Sequence, residues 1–425
     1  MDAQMELSFS KKEMNDMRYV IIGNSTAGIG TVEGIRKLDK DSEILIISDE
    51  IYFTYSRPLI SYLLLGKTTE KKMRYRDDDF YVKNNCRLIL GMKVTAINAE
   101  KKIIKLEDNS VIAYDKLLVG TGSSAFMPPI RGLEMVRNKF AFMSLDDAKD
   151  LRNVINRTSR VLIVGAGLIG LKCAEGIIES VSEVTVVDLA KDILSSILDS
   201  DGSNLIQKHL ESKGIIFKLS HSISSINNQQ ALLENGEVVE FDVVVLATGV
   251  QPNTELLRNI AEIGKGIKIN TKMETTHTDI YAAGDCTQSI DISSGEDKIM
   301  ALLPNAYMQG ECAGINMAGG VCHFDKALPL NSIGFFGIHM ITAGSYAGDV
   351  YFEFDGSNYK KLFYSENKLN GYILIGNVEK AGIYTSLIRE RTALDTLDFA
   401  MICKRPGLMA FAKSDRSITL GGEAK

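Results

Sequence analysis

The chain lacks a basic excess, a long apolar run and a C-x-x-C pair, and each absence removes a class of protein. A nucleic-acid binder carries a basic footprint; here 48 Lys and Arg stand against 54 Asp and Glu, a net charge of −6. A membrane-spanning helix needs about 20 consecutive apolar residues, and the longest runs, such as Val243 to Val250, have the length of a strand. The first sixteen residues carry charges of both signs (Asp2, Glu6, Lys11, Lys12, Glu13, Asp16) and no apolar core, so residues 1–16 read as a flexible tail rather than a signal peptide. The six cysteines are scattered, which fits buried thiols in a reducing cytoplasm. The five histidines show no metal-ligand spacing, so no metal is expected. Proline is scarce, at 7, against 36 glycines, which points to tight backbone turns rather than flexible linkers.

What is present is ordinary in bulk and specific in pattern. With 45% apolar and 24% charged residues over 425 positions, the chain reads as globular, with roughly three domains. Two segments share one design: RYVIIGNSTAGIG at 18–30 and RVLIVGAGLIG at 160–170. Each is a Val/Ile-rich run, a glycine cluster and a helical pattern, which is the entry to a βαβ unit with a strand buried on both faces. Each is followed by a second strand ending in an acid, SEILIISDE at 42–50 and SEVTVVD at 182–188. Three further strands end in turns: YDKLLVGTG at 114–122, FDVVVLATG at 241–249 and DIYAAGD at 279–285. From Lys326 the texture changes: Tyr351 to Phe354, Tyr359 to Tyr364 and Leu369 to Ile375 read as antiparallel strands, and Glu379 to Thr392 as a helix. The expected fold class is α/β, with two Rossmann-like dinucleotide-binding domains and a small C-terminal α+β domain at 326–425.

The second glycine cluster is complete. Gly165 makes the tight turn, Gly167 lets a pyrophosphate approach, and Gly170 lets helix and strand pack closely. Asp188, 18 residues beyond Gly170, is placed to accept from ribose hydroxyls and to repel a 2′-phosphate, which favours NADH over NADPH. The first cluster, Gly23 to Gly28, carries Ser25 at its second glycine position; its acid is Asp49 or Glu50. Two dinucleotide sites in one chain suggest a reaction between two dinucleotides, most simply FAD and NAD.

The ordered motifs GNSTAG (23–28), GTG (120–122), GAGLIG (165–170), ATG (247–249) and YAAGD (281–285) resemble those of the FAD-dependent pyridine-nucleotide oxidoreductases. Tyr55-Ser56-Arg57-Pro58 is similar to the flavin-contacting motif of rubredoxin reductases, oxygenase-coupled ferredoxin reductases and the flavin domain of assimilatory nitrite reductases. The stretch from Leu303 to Gly320 also resembles the flavin subunits of multi-subunit aldehyde and 2-oxoacid oxidoreductases. The resemblance implies an FAD domain at 17–130 and 251–325, with an NAD domain at 131–250 inserted into it. It implies that Gly23, Ser25, Gly28 and Glu50 hold the FAD pyrophosphate and ribose, with Val94 near the adenine. Arg57 and Pro58 lie along the flavin, Asp285 binds the ribityl chain, and the helix opening at Pro304 and Asn305 faces the flavin pyrimidine. Thr121, Gly122, Gly249 and Gly284, in the remaining motifs, complete the cofactor set. The residues alone also allow Asp285 to be a helix N-cap and Arg57 to form a surface ion pair.

One departure from the family decides the chemistry. Disulfide reductases carry C-x-x-x-x-C where this chain has SRPLIS at 56–61, so no dithiol relays electrons from the flavin. The expected activity is therefore NADH:acceptor oxidoreduction, with electrons passing directly to an iron–sulfur protein such as rubredoxin or ferredoxin, or to a partner subunit of a larger complex. The rivals are an oxygen-reducing NADH oxidase and a flavin- or NAD-sensing assembly protein. A second departure lies at Lys172 and Tyr62, where oxygenase-coupled relatives pair an acid with a lysine. Lys172 either reaches solvent or bonds Tyr62 beside the flavin–nicotinamide contact. A unit charge about 5 Å from a developing anion is worth up to roughly 3 kcal/mol, or about 70 mV for a two-electron couple.

Overall fold

The computed structural model describes residues 17–227, 229–407 and 410; the expected tail at 1–16 lies outside them. Strand β1 (Tyr19–Ile22) leads through the first glycine turn into helix α1 (Thr26–Leu38), which returns to β2 (Ile44–Ser48). The SRPL turn follows, then a short helix α2 (Ile60–Leu64) and the strands β3 (Cys86–Leu90) and β4 (Lys116–Val119). β1, β2 and β4 are apolar and almost wholly buried, as a sheet covered on both faces requires.

The chain then builds a second parallel sheet from β5 (Lys139–Phe140), β6 (Arg160–Val164), β7 (Glu183–Asp188), β8 (Ile215–Leu219) and β9 (Val243–Leu246), in the order β8-β7-β6-β9-β5. Helix α3 (Leu168–Ile177) joins β6 to β7 behind the second glycine turn. Only afterwards does the first sheet close. Strand β10 (Ile280–Ala282) pairs in parallel with β4, giving the order β10-β4-β1-β2-β3 from two separated stretches of sequence.

Helix α4 (Leu303–Met317) follows and lies against α1. Their contact is made by backbone. A Cβ on Gly30 would fall 2.4 Å from the Tyr307 carbonyl oxygen, and one on Gly34 would fall 2.2 Å from that of Glu311. In the other direction, a Cβ on Gly310 would meet the Ala27 oxygen at 2.1 Å and one on Gly314 the Thr31 oxygen at 2.2 Å. Four glycines thus let two helices touch where side chains would hold them apart.

The C-terminal sheet runs through β11 (Leu330–Phe335), β12 (Ile338–Gly344), β13 (Asp349–Phe354), β14 (Tyr359–Ser365) and β15 (Lys368–Ile375), in antiparallel order β11-β12-β15-β14-β13. The first two strands are absent from the sequence reading. Their polar and small residues (Asn331, Ser332, Gly334, Thr342) blur the alternation, and the hairpin turns on Phe336-Gly337, both at positive φ (46° and 92°), as a type I′ turn requires. The expected helix at 379–392 is α5 (Ala381–Arg389), two residues shorter at its start and three at its end. One face of this sheet packs Phe335, Met340, Phe363 and Ile375 into the core of the second nucleotide fold. The other face packs Tyr372 and Leu374 against α5.

The α1–α4 contact predicts a large penalty for a single methyl group. Gly310→Ala should lower the unfolding free energy by about 1–3 kcal/mol, read as a shifted urea midpoint. An unchanged midpoint would mean that the helices separate without cost.

Candidate active site

A cavity of about 780 Å³ opens at the carboxyl ends of β1, β2 and β4, within the range of cofactor sites. Its walls bring together residues far apart in sequence: Gly23 and Ser25, Glu50, Arg57, Val94, Thr121 and Gly122, and Gly284 and Asp285. The first glycine turn forms one wall. Gly23 has φ of +110°, and a Cβ there would sit 2.2 Å from the Gly120 carbonyl oxygen, so no other residue fits. α1 starts at Ser25 without a side-chain cap and with no acid in its first turn. Its opening amides are therefore free to receive phosphate oxygens. By contrast, the helix Leu145–Val154 carries a complete capping box from Ser144 and Asp147.

Gly28 lies behind the wall rather than on it. A Cβ there would meet the Gly23 carbonyl oxygen at 2.4 Å, so its part is to pack helix against strand. Asn24, passed over in the sequence reading, braces the turn. Its side-chain oxygen accepts from Thr54 Oγ1 at 2.8 Å and from the Tyr81 hydroxyl at 2.9 Å. Asn253 likewise ties the returning strand to the cavity, donating from Nδ2 to the Thr121 carbonyl at 2.9 Å. Asn24 fills a variable position of the first glycine cluster and Asn253 stands outside the motifs, so only proximity gives them meaning.

Arg57 joins the two readings that its position allowed. It lines the cavity and forms an ion pair with Glu50, and its Nη1 donates to the Met143 carbonyl at 3.1 Å. The Tyr55 hydroxyl donates to Glu50 at 2.7 Å and accepts from the Leu145 amide at 2.9 Å. Glu50 is thus fixed at the cavity edge by two partners. Asp285 accepts from Ser123 Oγ at 3.1 Å, and burial holds its carboxyl above the usual carboxylate range. No helix begins at Asp285, which removes the N-cap alternative.

Three expectations need correction. Pro58, in the turn Arg57–Leu59, is exposed and is not among the residues lining the cavity. Pro304 is exposed as well, and Asn305 turns away: it is 1% exposed and donates from Nδ2 to the Leu328 carbonyl at 3.2 Å. α4 reaches the cavity through Ala306 instead. The third correction is Lys172. Its ammonium neither reaches solvent nor bonds the Tyr62 hydroxyl. It forms an ion pair with Glu175, donates to the Gly334 carbonyl at 3.2 Å, and lies 4.4 Å from the centroid of the Tyr62 ring. Glu175 wins because it is 3% exposed and needs a counter-charge. Its other oxygen accepts from the Phe336 amide at 2.7 Å. An acid three residues after a lysine in an otherwise apolar helix was the available signal for this pair.

The second glycine turn repeats the first. Gly165 has φ of +114° and would place a Cβ 2.3 Å from the Ala247 carbonyl oxygen; a Cβ on Gly170 would meet the Gly165 oxygen at 2.0 Å. At Gly167 an added Cβ meets nothing within 4 Å, so the space in front of the turn is open. Asp188 is held at this turn, its two oxygens accepting from the Ala166 amide at 2.6 Å and the Ala190 amide at 2.7 Å. Each oxygen keeps a lone pair for a further donor. Gly249 sits at φ of +117°, just before the short crossing pair of Val250–Pro252 with Ser123–Ala125.

No thiol stands in the relay position. Ser56 and Ser61 occupy it, and Ser61 Oγ donates to the Pro58 carbonyl at 3.3 Å. Cys286, next to Asp285, is fully buried, and burial pushes its thiol up to about 11.

A model of the family described as pyridine nucleotide-disulphide oxidoreductase matches residues 17–310. The chain belongs to this family. It is an FAD-dependent NAD(P)H oxidoreductase of two Rossmann-like domains. It is 31% identical to the NADH-dependent phenylglyoxylate dehydrogenase subunit epsilon of Aromatoleum evansii, over 89% of this chain and 93% of that protein. It is 34% identical to an NADH oxidase of Methanocaldococcus jannaschii, over 73% of this chain and 72% of the other. Among solved structures, the covalent putidaredoxin reductase–putidaredoxin complex gives a TM-score of 0.83 at 22% identity, covering 97% of this chain and 100% of that one. The last comparison speaks to fold alone. Among the described residues, no helix is long and apolar enough to cross a membrane, and no cluster of ligands could hold a metal.

Two substitutions test the site. Asp285→Ala should release FAD during purification, read as flavin absorbance per chain; full flavin content would contradict a cofactor contact at this carboxylate. Lys172→Met should cost about 3–5 kcal/mol by orphaning Glu175. The double variant with Glu175→Gln should recover most of that loss in urea unfolding. Equal losses for single and double variants would mean that the ion pair contributes nothing.

Proposed function

We propose that the chain is an NADH:acceptor oxidoreductase that passes electrons to an iron–sulfur protein, either a small carrier of the rubredoxin or ferredoxin kind or a partner subunit of a larger complex. The observation that carries this reading is the relay position: serines at 56 and 61 beside a cavity fit for FAD. When bound, FAD accepts a hydride from NADH and releases electrons one at a time. The protein's contribution is placement. The two glycine turns fix the dinucleotides by their phosphates, and Arg57, held by Glu50 and Tyr55, sets a positive charge at the cavity wall. Asp188 supports NADH as the donor, since a 2′-phosphate would meet a carboxylate at the second turn.

Two further features support the reading. The relative from Aromatoleum evansii is by name a subunit of an NADH-dependent dehydrogenase, and it matches this chain over nearly its whole length. All six cysteines are free, in keeping with a reducing cytoplasm. The second reading, oxygen reduction, is favoured by the likeness to an NADH oxidase.

One experiment separates the two. NADH consumption is measured under air, with and without added rubredoxin or ferredoxin, before and after thiol alkylation, and again with NADPH. The carrier should raise turnover at least tenfold, alkylated protein should keep its NADH-to-dye activity, and NADPH should show a kcat/KM at least tenfold lower. Fast turnover with oxygen alone, unaffected by any carrier, would establish the oxidase instead.

A further inference from the structure

The molecule has a second cavity, remote from both nucleotide turns. It lies in the C-terminal domain between α5 and strands β11 and β12, has a volume of about 450 Å³ open to solvent, and is lined by Leu330, Ile341 and Tyr372 on one side and by α5 on the other. Its charged feature is Arg389, at the end of α5. The Arg389 Nε is shielded from water and has no hydrogen-bond partner. No carboxylate among the described residues pairs with its guanidinium: the adjacent Glu390, also at the cavity, is taken up by Lys326 at 2.8 and 2.9 Å.

A guanidinium without a counter-charge beside an apolar wall is costly for a fold to keep, because donors shielded from water lose their hydration without recovering a bond. Arg389 lines the cavity, so an acceptor entering it would meet the side chain and give its guanidinium the charge partner it lacks among the described residues. The surrounding groups fit a carboxylate. Thr385 and Ser386 line the cavity from α5, and the Tyr372 hydroxyl, hydrogen-bonded to Thr385 Oγ1 at 2.7 Å, closes its floor. With Glu390 neutralised by Lys326, Arg389 leaves the described residues of the pocket with one net positive charge. Its planar fork suits two parallel oxygens. Leu330 and Ile341 offer nothing to a bare inorganic anion, and they suit an apolar body attached to the acid group.

We propose that this cavity is a binding site for a small organic carboxylate, its head group on Arg389 and its apolar body against Leu330 and Ile341. The site is separate from the redox centre, because it occupies the face of the C-terminal sheet opposite the one that packs on the second nucleotide fold.

The test uses the full-length, FAD-loaded protein and isothermal titration with benzoate and hexanoate, alongside inorganic phosphate and benzyl alcohol. At least one of the two carboxylates should bind saturably at one site per chain, and the phosphate and the uncharged alcohol should bind at least tenfold more weakly. Arg389→Met should weaken carboxylate binding at least tenfold. Gly382→Leu gives an independent variant. Gly382 lines the cavity, an added Cβ there meets nothing within 4 Å, and leucine is a better helix former than glycine. This variant should block the cavity with Arg389 intact and with NADH-to-dye activity unchanged. The proposal is overturned if neither carboxylate binds saturably, if phosphate binds as tightly as both, or if Gly382→Leu binds them like the parent protein.

Discussion

The contact between α1 and α4 is the constraint on which the active site depends. The first nucleotide fold is assembled from two stretches with a whole domain between them, and apart from the chain that runs through that domain only packing and hydrogen bonds hold them together. Four glycines in two helices allow their backbones to meet, with added Cβ atoms colliding at 2.1–2.4 Å. This contact places the start of α4, with Ala306, at the cavity, and Gln309 fixes the turn before it by accepting from the Gly284 amide at 2.8 Å. Asp285 is therefore positioned by helix packing as much as by its own strand.

A second junction joins the redox domains to the C-terminal sheet. Lys172 and Glu175, one turn apart on α3, engage three parts of the chain at once: the Tyr62 ring after the SRPL turn, the Gly334 carbonyl, and the Phe336 amide in the β11–β12 hairpin. The charge of Lys172 is absorbed locally: the ammonium lies over the Tyr62 ring rather than bonding its hydroxyl, and its counter-charge, Glu175, stands one turn along the same helix. A nearly neutral pair has a weaker field at a distance than a lone cation, so the role of the pair is mechanical before it is electrostatic.

Much of this architecture was legible in the residues. The parallel strands are continuous apolar runs ended by glycine turns, and both turns fold as their spacing requires. The β11–β12 hairpin escaped notice because its residues do not alternate, and its turn relies on a non-glycine residue at positive φ, Phe336. Residues that the cavity gathers from spaced motifs, such as Gly23, Arg57 and Asp285, were legible. Those that act through proximity, such as Asn24, Asn253 and Glu175, were not. Asn305 misled for a physical reason: a helix start has a cavity side and a core side, and one residue of register separates Ala306 on the first from Asn305 on the second.

The α1–α4 contact also sets an order of assembly. During synthesis the five strands of the second nucleotide fold, contiguous in sequence, are all available once β9 has left the ribosome, and its core is completed later by Phe335, Met340, Phe363 and Ile375 of the C-terminal sheet. The first remains incomplete until residues near 317 are available, since it lacks both β10 and the helix that α1 needs as a partner. Until then the glycine-lined face of α1 is bare, and the cavity has no wall at Gly284 and Asp285. The cavity is therefore completed late, after all the strands of the inserted domain have become available.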